Sequence, residues 1–379
     1  MQSLHAQKRV LLLSTVHAST DPRIVGKISM SLSPYYEVHC ALTVGEGGRF
    51  KNQEIAKNQV YTVTFPFFRH IWQRFLWVHP RALWVFLKTR PHIVHIFVAE
   101  LLPLAFVFSW LGAEVICEVQ ENIYKKIPTK TYNRGRFYQL LFRFFDQQAR
   151  KKFKFIFTED GYLKEYQPLA KPYAIVRNFA ASQWLSWPMP APDLVQPTFF
   201  YAGVISYERA FDTLLKALCI VKEKYANVRL RLFGHLRISF STLEASPDYQ
   251  KVKENLIFHG YCTQIDAFGY AKDTLAGIAL LKPVGDYGDS YPTKLFDYMA
   301  LGLPVITSDL PLLRAVVEPH RCGFCVSPYD ADALATWMIW AIEHPNELKT
   351  MGENGRKAVI ENYNWEKEAT KLLDLYQTK

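Results

Sequence analysis

Residues 8–15, KRVLLLST, form a nearly unbroken apolar run of the kind that is buried on both faces in a parallel sheet. The polar loop VHASTDPRIVGK follows and leads into a helix. The alternation then repeats. YEVHCALTV from Tyr36, PHIVHIF at 91–97, EVICEVQEN from Glu114 and the tail KKFKFIFTED read as strands, separated by stretches of helical period. Residues 65–90 carry aromatic residues at helical spacing, LLPLAFVFSWLG reads as a core helix, and NRGRFYQLLFRFFDQQAR as a basic, aromatic one. After the Pro-rich stretch WPMPAPDLVQP, which begins at Trp187 and reads as a stiff linker, the pattern starts afresh. FFYAGV, VRLRLFGH, NLIFHGYC and VITSD are strands, and Leu214, Leu215, Leu218 and Val221 share one face of an intervening helix. Helices occupy the chain from Ala331 onward. Strand and helix alternating over 379 residues predict an α/β protein with two domains of similar size.

Charge changes this picture by dividing it. Residues 1–180 hold 25 Lys and Arg against 12 Asp and Glu, a net +13, whereas the remainder holds 20 against 23, a net −3. The basic half is expected to face something anionic. Arg, Lys and His interleaved with Trp and Phe at 65–90 suit an anionic membrane surface, with core packing claiming part of the rings. The same interleaving suits single-stranded nucleic acid, but no nucleic-acid-binding motif accompanies it, and no nucleic-acid partner is expected. The six cysteines are scattered, several within apolar runs, as in a reducing compartment. Cys322-Gly-Phe-Cys325 lacks the second pair or histidines of a zinc site, so no metal ligands are assigned. The apolar part of the N-terminal stretch is too short for a signal peptide, and Pro103, Gly112 and Glu114 interrupt the most apolar window below spanning length. The expected location is cytoplasmic, peripheral on the inner face of the cell membrane if the basic half docks there.

The most informative stretch is Gly288–Asp309, GDSYPTKLFDYMALGLPVITSD. It reads as loop, helix from about Thr293, a stop at Gly302, and a strand after Pro304. Loop and first-turn NH groups with the helix dipole make a place for an anion. Lys294 in that first turn is a poor choice for a bare helix start, and a bound diphosphate accounts for it. Asp289 and Asp297, eight apart, can stand respectively on the loop facing the anion and one turn into the helix, within reach of a sugar diol.

This stretch resembles the donor-site signature of family 4 glycosyltransferases, group 1 type: S-x-P-x-K-L-F-D-Y-M-A followed by G-L-P-V-I, with Asp at both acidic positions where the family usually has Glu. The resemblance implies the GT-B fold, two Rossmann-like α/β domains facing each other across a cleft. Its boundaries here are an acceptor domain at 1–180, a linker at 181–196, a nucleotide-sugar domain at 197–355 and a closing helix at 356–379 that crosses back. It implies transfer of a sugar from a UDP- or GDP-linked donor, as co-substrate and without a separate cofactor, to a glycan or a polyprenyl-diphosphate-linked acceptor, with retained configuration, in surface polysaccharide synthesis. A nucleotide-sugar 2-epimerase of the same fold and a catalytically weakened partner subunit are the alternatives.

Carried over position by position, the donor site comprises Gly203, Arg209, Gly234, Gly260, Tyr261, Asp289, Ser290, Tyr291, Pro292, Thr293, Lys294, Leu295 and Asp297. Arg209 stands at the family's second diphosphate cation, while Val204 occupies the first. STVHASTDPRI resembles the family's first loop, where His17, Asp21 and Arg23 either touch acceptor and phosphate or, for Asp21, merely cap the next turn. The family's histidines at the ends of two first-domain strands are replaced by Phe97 and Gln120. His95 is then a core histidine, Glu100 and Glu121 are the nearest carboxylates, and Gln120 and Glu100 join the acceptor candidates. The catalytic set is Asp289, Glu121, Arg209 and Lys294.

Overall fold

The computed structural model describes residues 7–46, 48, 54–57, 60–126 and 136–378. The first six residues, which enter the signal-peptide reading, and residues 133–135, the expected start of the basic helix, lie outside the described residues. The chain divides into two units, residues 1–178 together with 367–379, and residues 179–366.

The first unit is built on β1 (Arg9–Ala18), β2 (Glu37–Thr43), β3 (Glu54–Lys57), β4 (Val60–Phe65), β5 (Ile93–Ile96), β6 (Glu114–Val119), β7 (Lys154–Phe157) and β8 (Tyr173–Ile175). They lie in the order β3-β4-β2-β1-β5-β6-β7-β8, all parallel to their neighbours except β3. The β3–β4 hairpin is absent from the sequence reading, since residues 45–60 carry no clear period. Helices His79–Thr89, Leu102–Trp110 and Arg136–Lys152 each connect two of the strands β4 to β7. Right-handed crossovers in one direction put all three on the same sheet face. There Leu11 and Leu13 of β1 pack with Val85, Phe86, Ala105, Phe108 and Phe142 of the helices. Phe86 and Phe108 stack at 4.4 Å, two rings that are each worth about 1.5–3 kcal/mol on burial.

The second unit has a six-stranded, wholly parallel sheet. β9 (Thr198–Ala202), β10 (Arg229–Phe233), β11 (Leu256–Gly260), β12 (Gly277–Ala279), β13 (Val305–Ser308) and β14 (Gly323–Val326) are ordered β11-β10-β9-β12-β13-β14. Its helix Phe211–Lys224 buries Leu214, Leu215, Leu218 and Val221, the face read from the sequence. The stretch read as a stiff linker, with the residues just before it, packs onto this unit. Trp184 is buried edge-on against Phe268 at 4.9 Å, and Met189 lies where a side chain on Gly302 would go. Trp184 and Trp187 have an apolar surface to cover, which keeps residues 182–189 on the unit.

The final helix, Trp365–Gln377, has its residues from 367 onward in the first unit. Tyr376 donates to or accepts from His95 Nδ1 at 2.7 Å, Lys154 donates to the carbonyl of Leu375, and Glu368 accepts the backbone NH of Arg177 at 2.8 Å. A polar network therefore fastens this helix to the opposite face of the eight-stranded sheet.

Candidate donor site

In both sheets the strand order reverses beside the first strand, β1 against β5 and β9 against β12. The connections leaving two such strands diverge, so the crevice beyond their carboxyl ends is open to a ligand. In the second unit this crevice receives the stretch read as the donor signature. Residues Tyr287–Asp289 form a short turn, and the helix Thr293–Leu301 begins after Pro292 with no side chain capping its start. Tyr298 fixes the helix under β9: its hydroxyl accepts the NH of Ala202 at 2.7 Å, and its ring fills the space that a side chain on Gly277 would need. At the other end Gly302 takes a left-handed φ of 77°, and Arg356 donates to the carbonyls of Ala300 and Leu301. The C-terminal end is thus satisfied by protein, while the N-terminal end presents its dipole to the crevice.

Lys294 is the unusual group. It is 6% exposed, its Nζ has no hydrogen-bond partner among the described residues, and it stands 3.7 Å from the centroid of the Tyr201 ring. Burial, and next the charge of Arg209, push its pKa well below the lysine value of 10.5. Arg209 comes from the short turn Tyr207–Arg209 after β9, with its guanidinium over the ring of Tyr287 at 5.9 Å. An ammonium and a guanidinium held together, the former with no carboxylate paired to it among the described residues, are costly unless an anion joins them. Tyr201 and Tyr287 escaped the sequence reading. A strand tyrosine looks like core and a loop tyrosine looks like surface, and nothing in their spacing points to a cation.

Three glycines line the carboxyl ends of β9, β10 and β11. Gly203 NH donates to Phe233 O and Gly234 NH to Gly260 O, both at 2.7 Å, and all three residues have positive φ. At Gly234 a Cβ would lie 2.1 Å from Gly203 O. The bare backbone here lets a ligand approach closely. Tyr261, just beyond, is exposed and stacks on His235 at 4.6 Å with planes 11° apart. Asp297 is buried and accepts from Gln264 Nε2 at 2.9 Å through Oδ2. Asp289, Ser290, Tyr291 and Thr293 surround the helix start, with Leu295 buried beneath it.

The first-unit candidates are placed differently. Asp21 Oδ1 accepts from the NH groups of Arg23 and Ile24, the arrangement of a turn cap. Arg23 is buried, pairing with Glu118 at 2.8 Å and donating to Val176 O. Glu100 takes both Nε and a terminal nitrogen of buried Arg74 and accepts from Thr15. His17 is hydrogen-bonded to Ser14 Oγ at 2.8 Å, Gln120 donates to Glu118, and Glu121 is exposed. Most of these side chains are thus engaged by other protein groups. Burial alone would raise the pKa of Glu118, but the Arg23 charge and the His95 hydrogen bond outweigh it and hold the carboxyl far below its usual range. Cys322 and Cys325 are pushed up to about 12 by burial, which leaves them inert thiols. Among the described residues no three His, Cys, Asp or Glu side chains are grouped to hold a metal ion.

Two α/β units, one with a mainly and one with a wholly parallel sheet, have the GT-B fold. Residues 190–358 match the family model described as glycosyl transferases group 1, and the similarity lies in this unit. Among solved structures, sucrose-phosphate synthase from Thermosynechococcus elongatus superposes with a TM-score of 0.72 over 98% of both chains at 16% identity. HepE from Anabaena, solved with UDP and glucose, gives 0.69 over 98% of this chain and 100% of its own at 13%. Among curated proteins, the phosphatidyl-myo-inositol mannosyltransferase of Mycobacterium leprae is 26% identical over 188 residues, 49% of this chain and 48% of its own. The chain spans between 22% and 48% of the length of the curated relatives that it matches.

Proposed function

We propose that the protein transfers a sugar from a nucleotide-sugar donor to a glycan or lipid-linked acceptor, with retained configuration, in the synthesis of a surface polysaccharide. The observation that carries this reading is the buried Lys294, without a hydrogen-bond partner among the described residues, beside Arg209 at an uncapped helix start. When the bond between the anomeric carbon and the diphosphate oxygen breaks, the electron pair stays on the diphosphate. Charge grows where the two cations and the first-turn NH groups point, so they bind the departing group more tightly than the ground state. The exposed Tyr261 ring, stacked on His235, offers a face for the base, and the glycine-lined strand ends admit the nucleotide backbone. UDP in HepE and the lipid named for the mannosyltransferase support the donor and acceptor classes. Asp289 and Glu121 are the carboxylates assigned to the sugar and the acceptor hydroxyl.

Calorimetry with UDP, GDP and ADP, followed by turnover of the matching sugar nucleotides, tests this reading. Binding of one nucleotide and sugar release that depends on an added acceptor are expected. No binding of any of the three would overturn it, and acceptor-free conversion of UDP-GlcNAc would replace it with the epimerase.

A further inference from the structure

The helices that cover one face of the first-unit sheet expose aromatic side chains on their outer sides. The helical run at residues 71–89 buries Val78, Ala82, Val85 and Phe86 and turns Trp72, Trp77 and Trp84 outward, at 70%, 55% and 56% exposure. Trp77 and Trp84 are two turns apart on one stripe. The neighbouring helix Leu102–Trp110 ends on Trp110, exposed to 81%, and the next, Arg136–Lys152, exposes Leu140 and Phe144. The core beneath is complete without these residues, so packing does not account for them.

Cations accompany them. Arg81 and Lys88 lie on the first helix, and Arg143, Lys151 and Lys152 on the third. Lys88 Nζ stands 5.5 Å from the Trp84 ring centroid and Lys152 Nζ 5.9 Å from that of Phe106. Across residues 71–90, 102–111 and 136–152 the sole carboxylate is Asp146, which is buried and paired with Arg150. A surface of tryptophan and cation without acid matches the headgroup layer of an anionic bilayer, where indole rings sit among acyl chains and ammonium groups meet phosphate. No helix among the described residues is long and apolar enough to cross a membrane.

We infer that this three-helix face docks the protein flat on an anionic lipid bilayer, through Trp72, Trp77, Trp84 and Trp110 and the cations around them. The inference stands apart from the donor-site reading, since none of these residues belongs to that site. Docking brings a lipid-linked acceptor to the enzyme by diffusion in two dimensions.

The test is flotation with vesicles of phosphatidylcholine alone and of phosphatidylcholine with 30% phosphatidylglycerol, at low and high salt. Wild type floats with the anionic vesicles, binds those of pure phosphatidylcholine at least tenfold less, and is released by salt. The double variants Trp77→Glu/Trp84→Glu and Arg143→Glu/Lys151→Glu lose at least tenfold in partitioning while keeping nucleotide affinity and melting temperature. Failure of wild type to float, or flotation unchanged in both variants, would overturn the proposal. So would a concentration-dependent dimer that the tryptophan variant abolishes, which would assign the face to a second copy of the chain.

Discussion

Lys294 Nζ lies 3.7 Å from the centre of the Tyr201 ring, and the charge of Arg209 acts against its ammonium form. The π-face offsets part of the cost of burying the ammonium, and the guanidinium adds to that cost. An empty site of this kind is destabilising, as a place prepared for an anion should be.

Stability in the absence of ligand should therefore respond to pH through this lysine. Its folded pKa is depressed, so the unfolded chain binds the extra proton between the folded value and 10.5, and stability rises with pH across that window. The variant Lys294→Met removes this slope. Urea melts between pH 7 and 9.5 should show wild type gaining on the variant as pH rises, and the variant at least as stable as wild type at pH 7.

Gly234 should tolerate no side chain. Its φ of 133° and the approach of Gly203 O predict that Gly234→Ala costs about 3 kcal/mol, from strain and displacement of the neighbouring strand end. Gly269→Ala, where a Cβ meets nothing within 4 Å, should fall within about 0.5 kcal/mol of wild type. Chemical denaturation of the two variants makes the comparison.

The second unit was more legible in the sequence than the first because its loops announce themselves. Pro292, Gly302 and Pro304 punctuate a helix whose cation is out of place, and its start lies within a residue of where that punctuation puts it. In the first unit Arg23 and Glu118, and Arg74 and Glu100, lie apart in sequence and meet only in the fold. Taken singly, a buried partner in an ion pair looks the same as a substrate ligand. His95 illustrates the point from the other side: its place in a buried strand marks it as core, but its bond to Tyr376, 281 residues away, has no local signal.

Breaking the Arg23–Glu118 pair leaves a buried guanidinium, and Glu118→Gln should cost about 3–5 kcal/mol. The folded carboxyl is held below its usual value. The stability that it contributes is complete above about pH 4.5 and is lost progressively as pH falls further. Acid melts of wild type should steepen below that point, and those of Glu118→Gln should be flatter.

Arg209→Ala should weaken nucleoside diphosphate affinity by one to two orders of magnitude, and Arg209→Lys by less, because a lysine keeps the charge but not the fork of donors. Nucleoside monophosphate affinity should change by less than threefold in either variant. Titrations with the two nucleotides separate a diphosphate contact from general weakening.

The most direct measurement is calorimetry of nucleoside diphosphate binding at several pH values between 7.5 and 9.5, each in two buffers of different ionisation enthalpy. A lysine whose pKa is depressed in the empty site must be protonated beside a bound diphosphate, so binding should take up a proton. Lys294→Met should abolish that uptake and lower affinity at least tenfold. Equal affinity in the variant, with the same proton balance, would contradict the assignment of Lys294 to the leaving diphosphate.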